Sequence, residues 1–157
     1  MRGILINVAL AASWAAVSGR LDLVNLSVGF ALGFVILLLT HRVVGATSYV
    51  RRVRSAIELV AFFLVQVVAA NLRVAYDVLT PSFRARPGIL AIPLDAKTET
   101  EITVLANLIS LTPGTLSLDV SEDRSTLFIH AMYIDDIENV RRQIKDGFER
   151  RVIEVLR

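Results

Sequence analysis

The chain has no cysteine. Disulfides, thiolate nucleophiles and thiolate metal sites are therefore excluded. Histidine is almost as scarce, with two in 157 residues. His41 falls where an apolar run meets polar sequence and reads as interfacial. His130 alternates with Phe128 and Met132 on a strand pattern and reads as a structural residue on a sheet face. Neither stands at a metal-ligand spacing from an acid. A glycine-rich phosphate loop and a nucleophile elbow are also missing. Asp119 and Asp123 flank a turn, and Asp135 and Asp136 open a helix, so each has a local backbone role. No catalytic, cofactor-binding or metal-binding residue is nominated, and the chain is expected not to be an enzyme. The net charge of +2 is too weak to argue for nucleic acid.

Charge is absent from two long stretches, Gly3 to Gly19 and Leu23 to Thr40. Of the 15 acidic residues, only Asp22, Glu58 and Asp77 precede residue 90. The chain thus has two unlike halves: a membrane region over residues 1–80 and a small α/β domain over 89–157, joined by a linker at 81–88. A membrane-spanning helix needs about 20 apolar residues, with a range of roughly 17–25. Spans are expected at about 3–19 and 21–40, with Gly19-Arg20-Leu21-Asp22 as the turn. A cleaved signal peptide is the poorer reading, because a second hydrophobic run follows at once. Gly29 and Gly33 form a small-xxx-small pattern of the kind that lets helices approach closely.

A third hydrophobic helix is expected at about 53–79. Its charge-free window, Leu59 to Leu72, is short for a span. Arg51, Ser55, Glu58, Gln66 and Arg73 fall on one side of it at about 100° per residue. It either spans or lies in the interface. The segment His41 to Arg54 carries Arg42, Arg51, Arg52 and Arg54 and no acid, so it is expected on the cytoplasmic side. An interfacial third helix then leaves the C-terminal domain cytoplasmic, and this is the favoured arrangement. The first two helices lack ionisable residues, and Glu58 is placed beside Arg54 at a surface. This chain alone is therefore not expected to move ions.

In the C-terminal half, Thr80-Pro81 stops the long helix. Ser82 to Gly88 is a basic linker with Arg84 and Arg86. Ile89 to Leu94 reads as a strand that is at an edge or ends at Pro93. Thr98 and Glu101 have capping-box spacing, and a helix follows to about Leu111 with Ile102, Leu105 and Ile109 on one face. Thr112-Pro113-Gly114 is a turn in which proline presets the first corner and glycine supplies a positive φ. Thr115 to Val120 alternates, with Leu116, Leu118 and Val120 on one face. Thr126 to Met132 returns as a hairpin. A last helix opens at Asp135-Asp136 and repeats Ile137, Val140, Ile144 and Phe148. The order β-α-β-β-α predicts a small α+β domain, a ferredoxin-like plait lacking its last strand.

Leu105 to Val120 carries a recognisable block: Ala106 and Asn107, then Thr112, Pro113, Gly114 and Thr115, then Asp119 and Val120. It resembles the signature of the E subunit of the multisubunit monovalent cation/proton antiporters, the Mrp or Mnh family. Asn71-Leu-Arg-Val-Ala75 resembles the end of that family's last hydrophobic helix, and Pro93-Leu94 and His130 fall where the family has them. Ser110 departs from it, threonine being common there. The resemblance covers essentially the whole chain. It implies an accessory subunit of a complex exchanging sodium or other monovalent cations for protons across a prokaryotic cell membrane. It also implies large complex-I-like subunits, and the bilayer, as partners. Asn71, Asn107, Thr112, Pro113, Gly114, Thr115 and Asp119 become the candidate interface residues. The runner-up from the residues alone is a membrane-tethered regulatory domain binding a small ligand, with Asp119 and His130 as its candidates if their side chains converge.

Overall fold

The structure, a computed structural model, describes residues 2–80 and 85–157. The expected stop at Pro81 and the first part of the basic linker, Ser82 to Arg84, lie outside the described residues. Contacts divide the chain into two compact units, Met1–Arg54 and Ser55–Arg157.

The first unit is a helical hairpin of α1 (Arg2–Val17) and α2 (Leu23–Val44), joined by the start of α3 (Thr47–Leu79). Gly19, at φ 70°, turns the chain after α1. Asp22 caps α2 by accepting the Asn25 N–H at 2.8 Å, a role its charge alone did not reveal. α2 runs four residues past the expected Thr40. His41 and Arg42 suit its negative C-terminal end, and Gly45, at φ 70°, ends it in the left-handed cap. Gly29 and Gly33 are where the helices cross. A Cβ on Gly29 would meet the Ala11 carbonyl at 2.8 Å, and one on Gly33 would meet Asn7 Oδ1 at 2.3 Å. Fully buried Asn7 donates to the Tyr49 hydroxyl at 2.9 Å, and Tyr49 stands edge-on to Phe34. Among the described helices, α2 and α3 are long and apolar enough to cross a membrane. α1, at 16 residues, is roughly 24 Å long, short of the roughly 30 Å hydrocarbon core.

The second unit contains the rest of α3 and the α+β region. Its elements are β1 (Gly88–Pro93), α4 (Glu99–Ser110), β2 (Thr115–Val120) and β3 (Thr126–Ala131), followed by a last helical stretch. That stretch is α5 (Ile137–Arg142), a π-helical segment (Gln143–Glu149) and α6 (Arg150–Leu156). The sheet is three-stranded in the order β1-β3-β2 and antiparallel throughout. β1 is an edge strand, so Pro93 costs the ladder nothing it needs. Leu90 and Ile92 from β1, Leu127 and Ile129 from β3, Leu105 and Ile109 from α4, and Ile144 and Phe148 from the π-helical segment form one core.

Two expectations are corrected here. The alternation of β2 is broken by a bulge between Ser117 and Asp119. One extra residue there moves all that follows to the other face. Leu116 and Leu118 are therefore exposed, while Val120 packs on the core. In the last helical stretch, Ile137 is 49% exposed. The π turn widens the repeat, so Gly147 and Val152 join Ile144 and Phe148 on the buried side.

Two buried carboxylates fix the connection between β1 and α4. Glu149 accepts the N–H groups of Asp95 and Ala96 at 2.6 and 2.9 Å and pairs with Lys145 at 2.6 Å. Lys145 also reaches Asp95 at 2.6 Å. Burial opposes its charge, but these two acids outweigh burial and raise its pKa. Glu101 completes the expected capping box with Thr98. It also accepts the Lys97 N–H at 2.8 Å and two bonds from Arg157 at 2.8 and 3.0 Å. Hydrogen bonds from Arg157 first, and from the Lys97 backbone next, hold its pKa at about 2 against desolvation.

Candidate partner interface

The motif residues occupy the corner between α4 and β2. The last turn of α4 leaves Thr112 buried, and its hydroxyl donates back to the Leu108 carbonyl at 2.9 Å. Pro113 supplies the first corner of the turn and Gly114, at φ 89°, the second. The Thr115 N–H closes the turn on the Thr112 carbonyl at 3.2 Å. The Thr115 hydroxyl donates to the carbonyls of Ile109 and Thr112 at 2.6 and 2.9 Å. Gly114 lends its carbonyl to the Met132 N–H at 2.8 Å, and the Tyr133 ring lies 3.3 Å from where a Cβ would stand. Both threonine hydroxyls are thus engaged inside the turn. Ser110, the departure from the family pattern, accepts the Ser117 N–H at 3.0 Å, a bond that either hydroxyl residue would make.

The turn looks onto one face of α3. Gln143 donates to Gln66 at 2.7 Å, and the Arg73 guanidinium lies 5.5 Å from the Tyr133 ring centroid. Phe62 meets Phe148 edge-on at 5.1 Å, and the Arg151 guanidinium lies over the Phe62 ring, 4.2 Å from its centroid. A cavity of about 100 Å³ remains between these groups, lined by Gln66, Arg73, Thr112, Gly114, Tyr133 and Gln143 among others. Asp77, the neighbour of Tyr133, raises its phenol pKa by polar contact first, with desolvation adding to it.

Of the candidate interface residues, the structure brings Thr112, Pro113, Gly114 and Thr115 together beside this cavity. The other three stand apart. Asn107 is exposed on α4, and no described residue hydrogen-bonds its side chain. Asn71 is exposed on α3, donating to its own helix at the Val67 carbonyl at 2.8 Å. Asp119 sits at the bulge with its carboxylate on the Val120 N–H at 2.8 Å. Asp119 stands opposite Phe128, whereas His130 stands opposite Leu116, so the two do not form a shared polar pocket. Among the described residues, no three His, Asp or Glu side chains gather to hold a metal ion.

Sequence reasoning missed Tyr133 and Gly147. Gly147 carried a usable signal, since a glycine inside a helical repeat marks a close approach. A Cβ there would stand 2.8 Å from the Phe62 ring. Tyr133 follows a strand with no pattern to single it out.

Comparison with known proteins covers both halves of the molecule. A family model described as Na+/H+ ion antiporter subunit, MNHE, matches residues 7–155. The E subunit of the Na(+)/H(+) antiporter of Alkalihalophilus pseudofirmus is 38% identical, over 97% of this chain and 96% of that protein. The Bacillus subtilis protein of the same name is 38% identical over 98% of each. Among solved structures, a chain of the archaeal membrane-bound sulfane sulfur reductase, a respiratory membrane complex, matches with a TM-score of 0.57. It is 30% identical over 96% of each chain. A chain of the Mrp complex from Dietzia matches with a TM-score of 0.50 at 29% identity, covering 65% of this chain and 94% of that one.

Proposed function

Because the chain belongs to the family of Na+/H+ antiporter E subunits, we propose that it works as an accessory, non-catalytic subunit of a multisubunit monovalent cation/proton antiporter. It supports assembly and activity of the transport complex in the cell membrane. The carrying observation is that the match runs from residue 7 to residue 155. Hydrophobic hairpin and α+β unit are thus shared as one arrangement. The apolar hairpin fits a membrane anchor, and its helices offer no ionisable side chain within their apolar runs. The partners are the other subunits of the antiporter.

The C-terminal unit is read as a ferredoxin-like plait lacking its last strand. The order β1-β3-β2 and the packing of α4 and the last helical stretch into the same core support this. The chain is read as multi-pass, with the membrane region through residue 80 and the domain from residue 89 on the cytoplasmic side. The arginines at 42, 51, 52 and 54 support that orientation.

Recovery of the tagged chain in mild detergent, with mass spectrometry of its companions, tests the subunit reading. Several very hydrophobic antiporter subunits are expected. A chain recovered alone, under conditions that keep other membrane complexes intact, overturns it. Asn107, with its exposed amide unbonded by any described residue, is the interface residue the geometry favours. Asn107→Ala is expected to leave the melting temperature unchanged while reducing recovery of the companion subunits; unchanged recovery removes Asn107 from the interface.

A further inference from the structure

From Ser55 onward α3 has two faces of different chemistry. Phe62, Gln66, Ala70, Arg73 and Asp77 fall within one sector at about 100° per residue. This sector meets the domain: Phe62 with Phe148, Gln66 with Gln143, and Arg73 with Tyr133. The opposite sector holds Ile57, Val60, Leu64, Val65, Val68 and Leu72, each between 56% and 67% exposed. It is an aliphatic stripe with one polar position. Asn71 is its polar interruption, and its amide donates to the Val67 carbonyl of the same helix. Tyr76, 51% exposed, lies at the stripe's edge.

α3 is apolar enough in length and composition to cross a bilayer, but the domain contacts argue against crossing. They run from Phe62 to Arg73, and the domain they join carries Glu138, Arg142, Asp146 and Arg150 at its surface. Charges of that kind are not drawn into hydrocarbon. What precedes Phe62 in α3 is short for a span and includes Arg51, Arg52, Arg54 and Glu58.

We infer that the outward stripe of α3 lies in the membrane interface, with the lipid of one leaflet as its occupant, so that α3 is the sole on which the domain rests on the bilayer. Three observations select lipid. α3 starts at Thr47, directly after the Gly45-Ala46 link from the hydrophobic helix α2. The stripe is aliphatic at every position but Asn71, and an apolar face of this kind is what an interface-lying helix buries. Arg42, Arg51, Arg52 and Arg54 come just before it without an intervening acid, which suits anionic headgroups. The inference rests on the membrane-subunit reading but not on which leaflet the domain faces.

The absence of cysteine makes the test direct. Val60→Cys, Val65→Cys, Val68→Cys and Leu72→Cys are made singly in the full chain and assembled with partner subunits that lack reactive cysteine. Each is nitroxide-labelled in liposomes containing anionic lipid, and its collisions with oxygen and with an aqueous nickel chelate are measured. Ile57→Cys and Leu64→Cys replace any variant that does not assemble. All positions are expected to favour oxygen, at one shallow depth of about 5–10 Å below the phosphates. Depth that changes steadily by about 1.5 Å per residue marks a crossing helix and overturns the inference. Labels immobile and shielded from both reagents mark a partner subunit's helix as the occupant, and free access to nickel marks a bare aqueous face; either outcome also overturns it. Glu122→Cys, probed with an impermeant maleimide on intact cells, reports the side of the domain separately. Failure of the wild-type chain to enter the complex overturns the subunit reading; the same labels are then read on the chain alone in the same liposomes, where a uniform shallow depth supports the inference and any other profile overturns it.

Discussion

Gly114 is held at φ 89°, and the Tyr133 ring lies 3.3 Å from where a Cβ would stand. A side chain there meets both backbone strain and a ring that has to move. Gly114→Ala is expected to cost about 1–2 kcal/mol, read as a lower denaturation midpoint of the detergent-solubilised chain. This position was legible from Pro113-Gly114 alone, because proline and glycine state their backbone angles locally. Glu101 was legible only in part. Its spacing from Thr98 declared the cap, but Arg157 is 56 residues away, and no local pattern records such a pairing. The consequence is a pH dependence. The folded Glu101 carboxyl titrates at about 2, below its ordinary 4.5. Its stabilisation is therefore complete above about pH 4.5 and is lost as pH falls from there toward 2. Glu101→Gln is expected to flatten the melting temperature against pH in that window.

At the scale of elements, the hairpin of α1 and α2 depends on Gly29 and Gly33. Gly33→Leu drives atoms into Asn7 and Leu10 and is expected to lower the subunit's yield in the purified complex several-fold. Val35→Leu, on the exposed side, is the control and should be neutral. The glycine spacing was visible in sequence, but the partner helix was not, since a close approach is a property of two surfaces. The sheet shows the same limit. Strand positions and the hairpin followed from alternation and turn residues, yet the bulge in β2 left no mark on the pattern of Thr115–Val120. It is set by how β2 pairs with β3, with Ser110 and Ala106 of α4 taking bonds from Ser117. The last helix shows it too: Gly147 marks a close approach, but nothing in the helical repeat names Phe62 as the residue that makes it or announces the π turn.

At the scale of the molecule, the expected division placed α3 with the membrane region, whereas its contacts from Ser55 onward belong to the second compact unit. Phe62 and Phe63 pack against the same core as Ile144 and Phe148. Without α3, that side of the core is open to water. The fragment 55–157, in mild detergent, is expected to melt cooperatively. The fragment 85–157 is expected to lose cooperativity and to bind a hydrophobic dye, which calorimetry and dye fluorescence would report. A cooperative 85–157 would mean that α3 only leans on a domain complete in itself.

Three hydroxyls along the apolar helices have one habit in common. Ser13, Ser27 and Thr40 each give their hydrogen to the carbonyl four residues earlier, at 2.7–2.8 Å. To whatever lies alongside, these hydroxyls are therefore mute as donors. A neighbouring helix reads them by contour, not by a hydrogen they could give. Such a surface does not dictate one fixed register, and it tolerates small slides and rotations in a crowded membrane assembly. Fixing the subunit's pose then falls to the groups that do speak: the arginines at the membrane margin and the exposed edges of the α+β unit.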